Sequence, residues 1–201
     1  MLARSLTVCL VGAATMLVGC SGPEPRADGR AASRTVVDSV HPIEEEIRRF
    51  ARTAGEPATR LEGGAATREE LVANFVAALE EADTAALAGS LITRSEFIHL
   101  YFPHSVYTKP PYQLDPAIVW FQMMNHTSRG ITRTLKRFAG RPLRYLGHDC
   151  PAPPLVEGPN RIWEHCTVRL GPPGEEASLR LFGPILERDG RLKFVTYGGG
   201  E

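Results

Sequence analysis

The chain has 201 residues, of which 43% are hydrophobic, and its 23 Lys+Arg balance 23 Asp+Glu. That hydrophobic content supports a packed core and excludes a wholly disordered chain, and the length fits one domain with a tail. A formally neutral chain lacks the clustered positive charge that neutralises phosphates, so no nucleic acid is expected as a partner; the one basic stretch, Arg129, Arg133, Lys136 and Arg137, reads as a solvated helix face.

Residues 1–19 carry Arg4 and then an apolar run from Leu6 to Val18. The run is shorter than the roughly 20 residues a membrane-spanning helix needs, and it has the length and flanks of a secretory leader. It ends in Leu17-Val18-Gly19-Cys20, which resembles the lipobox of bacterial lipoprotein precursors. That resemblance implies a lipid thioether on Cys20 Sγ, cleavage before Cys20, and further acylation such as palmitate. Several acyl chains hold a protein on a membrane where one would bind marginally. Ser21 in place of aspartate implies, by the same analogy, the outer membrane facing the periplasm in a Gram-negative organism. An ordinary secretory leader with an incidental cysteine is the plainer alternative. Loss of the leader removes Arg4, leaving 22 basic against 23 acidic groups, a net charge of −1.

Export also sorts the cysteines. Cys9 leaves with the leader and Cys20 takes the lipid, so Cys150 and Cys166 are left with one connectivity in an oxidising compartment. Closing that loop is worth about 3 kcal/mol in the chain-entropy model. Two buried free thiols are the alternative.

Residues 20–40 hold Gly, Pro, Ala, Ser and mixed charge without hydrophobic period, the composition of a flexible tether. Residues 41–66 read as a short helix and a loop. Pro42 suits a first helical position, Glu44 to Glu46 suit the positive pole, and Arg48, Arg49 and Arg52 suit the other. Ile43, Ile47, Phe50 and Ala54 then share a face, and a helix so short needs a surface to dock on.

The folded domain is expected over residues 67–198. Thr67-Arg68-Glu69-Glu70 is a capping box, followed by Leu71, Phe75, Leu79 and Ala82 at helical spacing. Asp83 or Thr84 can cap a second short helix, and Thr93 to Glu96 is another capping box, opening a turn that Pro103 stops. Lys109-Pro110-Pro111-Tyr112 lies in a stiff extended loop. Asp115-Pro116 begins the strongest helix, whose apolar stripe reads Trp120, Met124, Thr127, Ile131, Leu135 and Phe138, with Gly130 as an expected kink. Leu143 to Cys150, Arg161 to Leu170, Ala177 to Glu187 and Arg191 to Tyr197 read as four strands, with a bend at Gly183-Pro184 and a two-residue hairpin turn at Asp189-Gly190. Helices followed by antiparallel strands give the α+β class.

This element order resembles the nuclear-transport-factor-like cone fold, shared with polyketide-cyclase-like and ketosteroid-isomerase-like proteins. The resemblance implies one long helix packed on a bent four-stranded antiparallel sheet around a conical pocket. The Lys109–Tyr112 loop and the Arg180-Leu181-Phe182-Gly183 strand also resemble segments of other envelope proteins.

If Cys150 faces Cys166 on neighbouring antiparallel strands, His148 faces Val168 and Asp149 faces Thr167. Leu146, His148 and Cys150 then share one face with Ile162, Cys166, Val168 and Leu170, and Tyr145 and Asp149 share the other with Trp163, His165, Thr167 and Arg169. Asp149 and His165 become the one carboxylate–imidazole pair that strand pairing brings together, the pattern of an oriented general base; ion pairs on a solvated sheet face are the alternative. His148 and His165 point oppositely, so no metal is expected, and no cofactor signature is present. A second candidate is aromatic: Tyr107, Tyr112, Trp120 and Trp163, with Tyr101, around an apolar or planar ligand, and Lys109 at the mouth. Core packing explains the same residues. The leading expectation is a non-enzymatic envelope lipoprotein that binds a small apolar ligand or an envelope protein. The alternative is a cone-fold enzyme with isomerase- or hydrolase-like acid/base chemistry, which requires Asp149 or His165 partly desolvated in a pocket.

Overall fold

Four helices, at Arg68, Thr84, Arg94 and Pro116, start where a side chain accepts a free amide. The structure, a computed structural model, describes residues 41–151, 153–171 and 176–198; the expected leader, Cys20 and the tether to residue 40 lie outside the described residues. Helix α1 (Ile43–Ala51) follows Pro42, with Glu44, Glu45 and Glu46 in its first turn and Arg48 and Arg49 in its last. Helix α2 (Arg68–Glu80) is capped by Thr67 Oγ1, which accepts the Glu70 amide at 3.1 Å. The Glu70 carboxylate reaches back to the Ala66 amide, 2.9 Å away. Asp83 accepts two amides at the start of α3 (Thr84–Gly89). Thr93 and Glu96 form a complete capping box at α4 (Arg94–Glu96), which runs into a π-helical turn at Phe97–Tyr101 and two 3-10 turns at Phe102–His104 and Val106–Thr108.

The strands are antiparallel and shorter than the sequence pattern indicates. β1 (Tyr145–Asp149), β4 (Thr167–Leu170) and β5 (Ala177–Leu179) form one sheet. β2 (Leu155–Glu157), β3 (Asn160–Trp163), β6 (Ile185–Arg188) and β7 (Arg191–Phe194) form a second. The α+β class stands, with two sheets in place of one. The expected strand at 161–170 breaks because His165 takes a positive φ of 57°, which ends an extended run. The strand at 177–187 breaks near Gly183-Pro184. The turn between β6 and β7 is Asp189-Gly190, both at positive φ, the conformation a two-residue hairpin needs.

The core lies against α2. Phe75 is fully buried, and its ring stands 5.3–5.5 Å from those of Phe182, Phe194 and Tyr197. A second cluster joins Phe50 of α1 to Phe97, Phe102, Val119, Ile162 and Leu186. Ile43 and Ile47 pack against it from α1.

Helix α5 (Pro116–Phe138) starts at the Asp115 cap and runs through Gly130 as one element. Its buried residues are Pro116, Val119, Thr127, Gly130 and Thr134, a face rotated from the expected stripe. Trp120, Met124, Ile131, Leu135 and Phe138 flank that face, half-buried. Gly130 explains the rotation. A Cβ there would lie 2.5 Å from Gly198 Cα and 2.6 Å from the Tyr197 carbonyl, so the helix touches the C-terminal backbone through its smallest residues. Thr127 Oγ1 accepts the Tyr197 amide at 3.2 Å.

Candidate functional site

The disulfide Cys150–Cys166 is present, and it holds β1 against β4 with His148 opposite Val168 and Asp149 opposite Thr167, in the expected register. The faces differ from expectation. The register shifts between Tyr145 and Gly147, a bulge that inserts one residue and turns Tyr145 over. Its hydroxyl therefore meets the ring of His148, 2.9 Å from Nδ1, instead of sharing a face with Asp149. Ile162 and Trp163 belong to the other sheet.

Glu69, in the first turn of α2, completes the group, with Oε2 3.2 Å from His148 Nδ1. The His148 side chain is 11% exposed. A carboxylate and a bare imidazole nitrogen are both acceptors, so their contact needs the proton on Nδ1. In the neutral ring that tautomer leaves Nε2 as an acceptor, and no described residue hydrogen-bonds to it. Burial, and after it the hydrogen bond and negative charge of Glu69, push the Tyr145 phenol above its ordinary range.

The group borders a cavity of about 370 Å³ whose lining includes Thr67, Arg68, Glu69, His148, Trp163 and Glu187. The Trp163 indole N–H donates to Glu187 Oε2 at 3.1 Å. The Arg68 guanidinium carbon lies 3.7 Å from the Trp163 ring centroid, a cation–π contact that positions the indole. The site thus offers two carboxylates, an imidazole acceptor and a held indole.

Compared with known proteins, the chain matches no family model, no curated protein and no solved structure.

The residues singled out from sequence fall in separate places. Asp149 and His165 are both exposed. His165 Nδ1 accepts from Arg180 Nη2 at 3.0 Å, and no described contact joins it to Asp149. The desolvation that the acid/base reading requires of them is not met. The aromatic residues do not converge either. Tyr107 lines a cavity of about 380 Å³ with Gln122, Met123, His126 and Arg129. Trp120 packs 5.1 Å from Phe97, and Tyr101 is core. Lys109 and Tyr112 are exposed, and Trp163 sits in the other core cluster. Sequence reasoning missed Glu69 because strand alternation pairs only strand neighbours, and Glu69 arrives from a helix. Among the described residues no three His, Cys, Asp or Glu side chains group as a metal site, and no described helix is long and apolar enough to cross a membrane.

Proposed function

We propose that the chain is the precursor of an exported lipoprotein, lipidated on Cys20, whose α+β domain binds a small ligand beside His148. The lipobox-like Leu17-Val18-Gly19-Cys20 supports the anchor and the cell-envelope location, on the outer membrane where the organism has one. Helices preceding antiparallel strands support the nuclear-transport-factor-like, cone-like reading of the domain. One observation carries the binding reading: Glu69, Tyr145 and His148 meet at a single nitrogen beside an open cavity. The ligand that suits two carboxylates, an imidazole acceptor and an indole edge is small, planar and rich in hydrogen-bond donors.

A native mass spectrum of the oxidised mature chain carrying Cys20→Ser, which is lipid-free, tests the binding. A small-molecule adduct that His148→Ala removes is expected. A clean spectrum of the folded protein, or an adduct indifferent to His148→Ala, defeats the reading. Labelling with radioactive palmitate in the producing cell tests the anchor separately, and the label should vanish in Cys20→Ser.

A second reading is favoured by His148 Nε2, to which no described residue hydrogen-bonds. The Glu69 carboxylate, 3.2 Å from His148 Nδ1, orients the imidazole as a general base requires, so acid/base chemistry would centre on His148 and not on Asp149 and His165. Turnover that Glu69→Gln and His148→Gln both abolish would select this reading over binding alone.

A further inference from the structure

We infer that the solvent face of α5 docks on an anionic lipid surface. The choice of a membrane rests on the lipoprotein reading of Cys20, while the composition of the face does not.

Ile118, Phe121, Asn125, Arg129, Thr132 and Lys136 are all exposed, and their spacing places them on one stripe of the helix. At one end of this stripe two large apolar side chains stand one turn apart in water, Ile118 54% and Phe121 65% exposed. Tyr112, 53% exposed, precedes the Asp115 cap at that same end. The other half of the helix holds Arg129, Arg133, Lys136 and Arg137, and no Asp or Glu occurs from Pro116 to Phe138. Single exposed apolar residues are ordinary. An apolar pair leading into Arg129 and Lys136 on one stripe, with no acid on the helix, is the pattern of a helix lying in a membrane interface. There the apolar groups enter the headgroup boundary and the cations meet anionic lipid.

Ile43 and Ile47 of α1 pack against the core cluster that contains Val119 of α5, as Trp120 does, so α1 lies beside α5. In α1 Glu45 pairs with Arg48 and Glu46 with Arg49, and Glu44 is exposed. Residues 21–40 separate Cys20 from His41. Their greatest extended reach is roughly 70 Å, which keeps the domain at high effective concentration over the membrane, where weak docking suffices.

The test uses the mature chain with Cys20→Ser, oxidised and lipid-free, sedimented with vesicles. Phosphatidylethanolamine–phosphatidylglycerol vesicles should carry it down and phosphatidylcholine vesicles should not, and added salt should release it. Arg129→Gln and Lys136→Gln should each weaken partition about fivefold, and roughly twenty-fivefold together. Ile118→Ser with Phe121→Ser should weaken it at unchanged charge. Equal sedimentation with both vesicle types, none with either, or full binding by the Arg129→Gln/Lys136→Gln variant overturns the inference. The charge variants touch only exposed positions, so they keep the test decisive if the serine variant is poorly folded. Absent palmitate label on Cys20 would sink the anchor without changing any of these vesicle results.

Discussion

The Lys193 ammonium lies 2.9 Å from the Glu96 carboxylate, and each side chain is 2% exposed. The same ammonium donates to the Glu62 carbonyl at 2.9 Å, and the carboxylate accepts the Glu62 and Thr93 amides at 2.7 Å. The pair therefore ties β7 to the α4 capping box and to the loop ahead of α2. Removing one partner of such a pair leaves a buried charge without its counter-ion, and the cost is about 3–5 kcal/mol. Lys193→Met should lower the urea unfolding free energy of the oxidised mature chain by that amount. A loss below about 1 kcal/mol would mean that water reaches Glu96 and that the pair is not a closed one.

The Cys150–Cys166 bridge closes a loop with a sequence separation of 16, between the end of β1 and the start of β4. Its stabilisation comes largely from the unfolded chain, at about 3 kcal/mol for a loop of this length. Reduction, or the double change Cys150→Ala and Cys166→Ala, should lower stability by about that much. Equal unfolding midpoints for oxidised and reduced protein would remove the bridge as a source of stability.

Gly130 separates two opposing effects. On an open helix surface Gly→Ala gains about 1 kcal/mol of propensity. Here the added methyl would enter the space of Gly198 Cα at 2.5 Å, and overpacking typically costs about 1–3 kcal/mol. Gly130→Ala should therefore destabilise. Gly89→Ala, with nothing within 4 Å of the added carbon, should be neutral or stabilising. Thermal melts of the two variants should move in opposite directions, and a stabilised Gly130→Ala would refute the close approach.

What was legible in the sequence was what neighbours in the chain decide. The caps at Thr67, Asp83, Thr93 and Asp115, and the Asp189-Gly190 turn, are local chemistry and appear as read. The register of β1 on β4 was also legible, because one cystine fixes it. What failed depends on tertiary contact. The bulge between Tyr145 and Gly147 moved Tyr145 across the sheet, and no residue pattern announces it. His165 is not glycine, so its positive φ could not be anticipated, and it splits one expected strand into two sheets. The buried face of α5 is set by the backbone that Gly130 meets, not by the hydrophobic stripe. Glu69 reaches His148 from another element, which is why the sequence offered Asp149 in its place.

Tyr101, Tyr145 and Tyr197 make the alkaline limit of stability predictable. Burial is the first cause that holds each phenol above its ordinary range; the charges of Tyr107, Glu157 and Glu164 add to it at Tyr101, and Glu69 adds to it at Tyr145. In the unfolded chain these phenols ionise near pH 10, while in the folded protein they keep their protons. Above about pH 10 the unfolded state thus binds fewer protons, and stability falls as pH rises; below that pH the full contribution remains. Urea midpoints measured from neutral pH upward should stay level with respect to these groups and then decline beyond about pH 10. Tyr145→Phe should flatten the decline at little cost near neutrality. Tyr197→Phe should flatten it too, but at a cost of about 1–2 kcal/mol at all pH values, because its buried hydroxyl donates to the Leu87 carbonyl at 2.7 Å. A decline as steep in Tyr145→Phe as in the parent would exclude Tyr145 as a contributor, and with it the close approach of its phenol to Glu69.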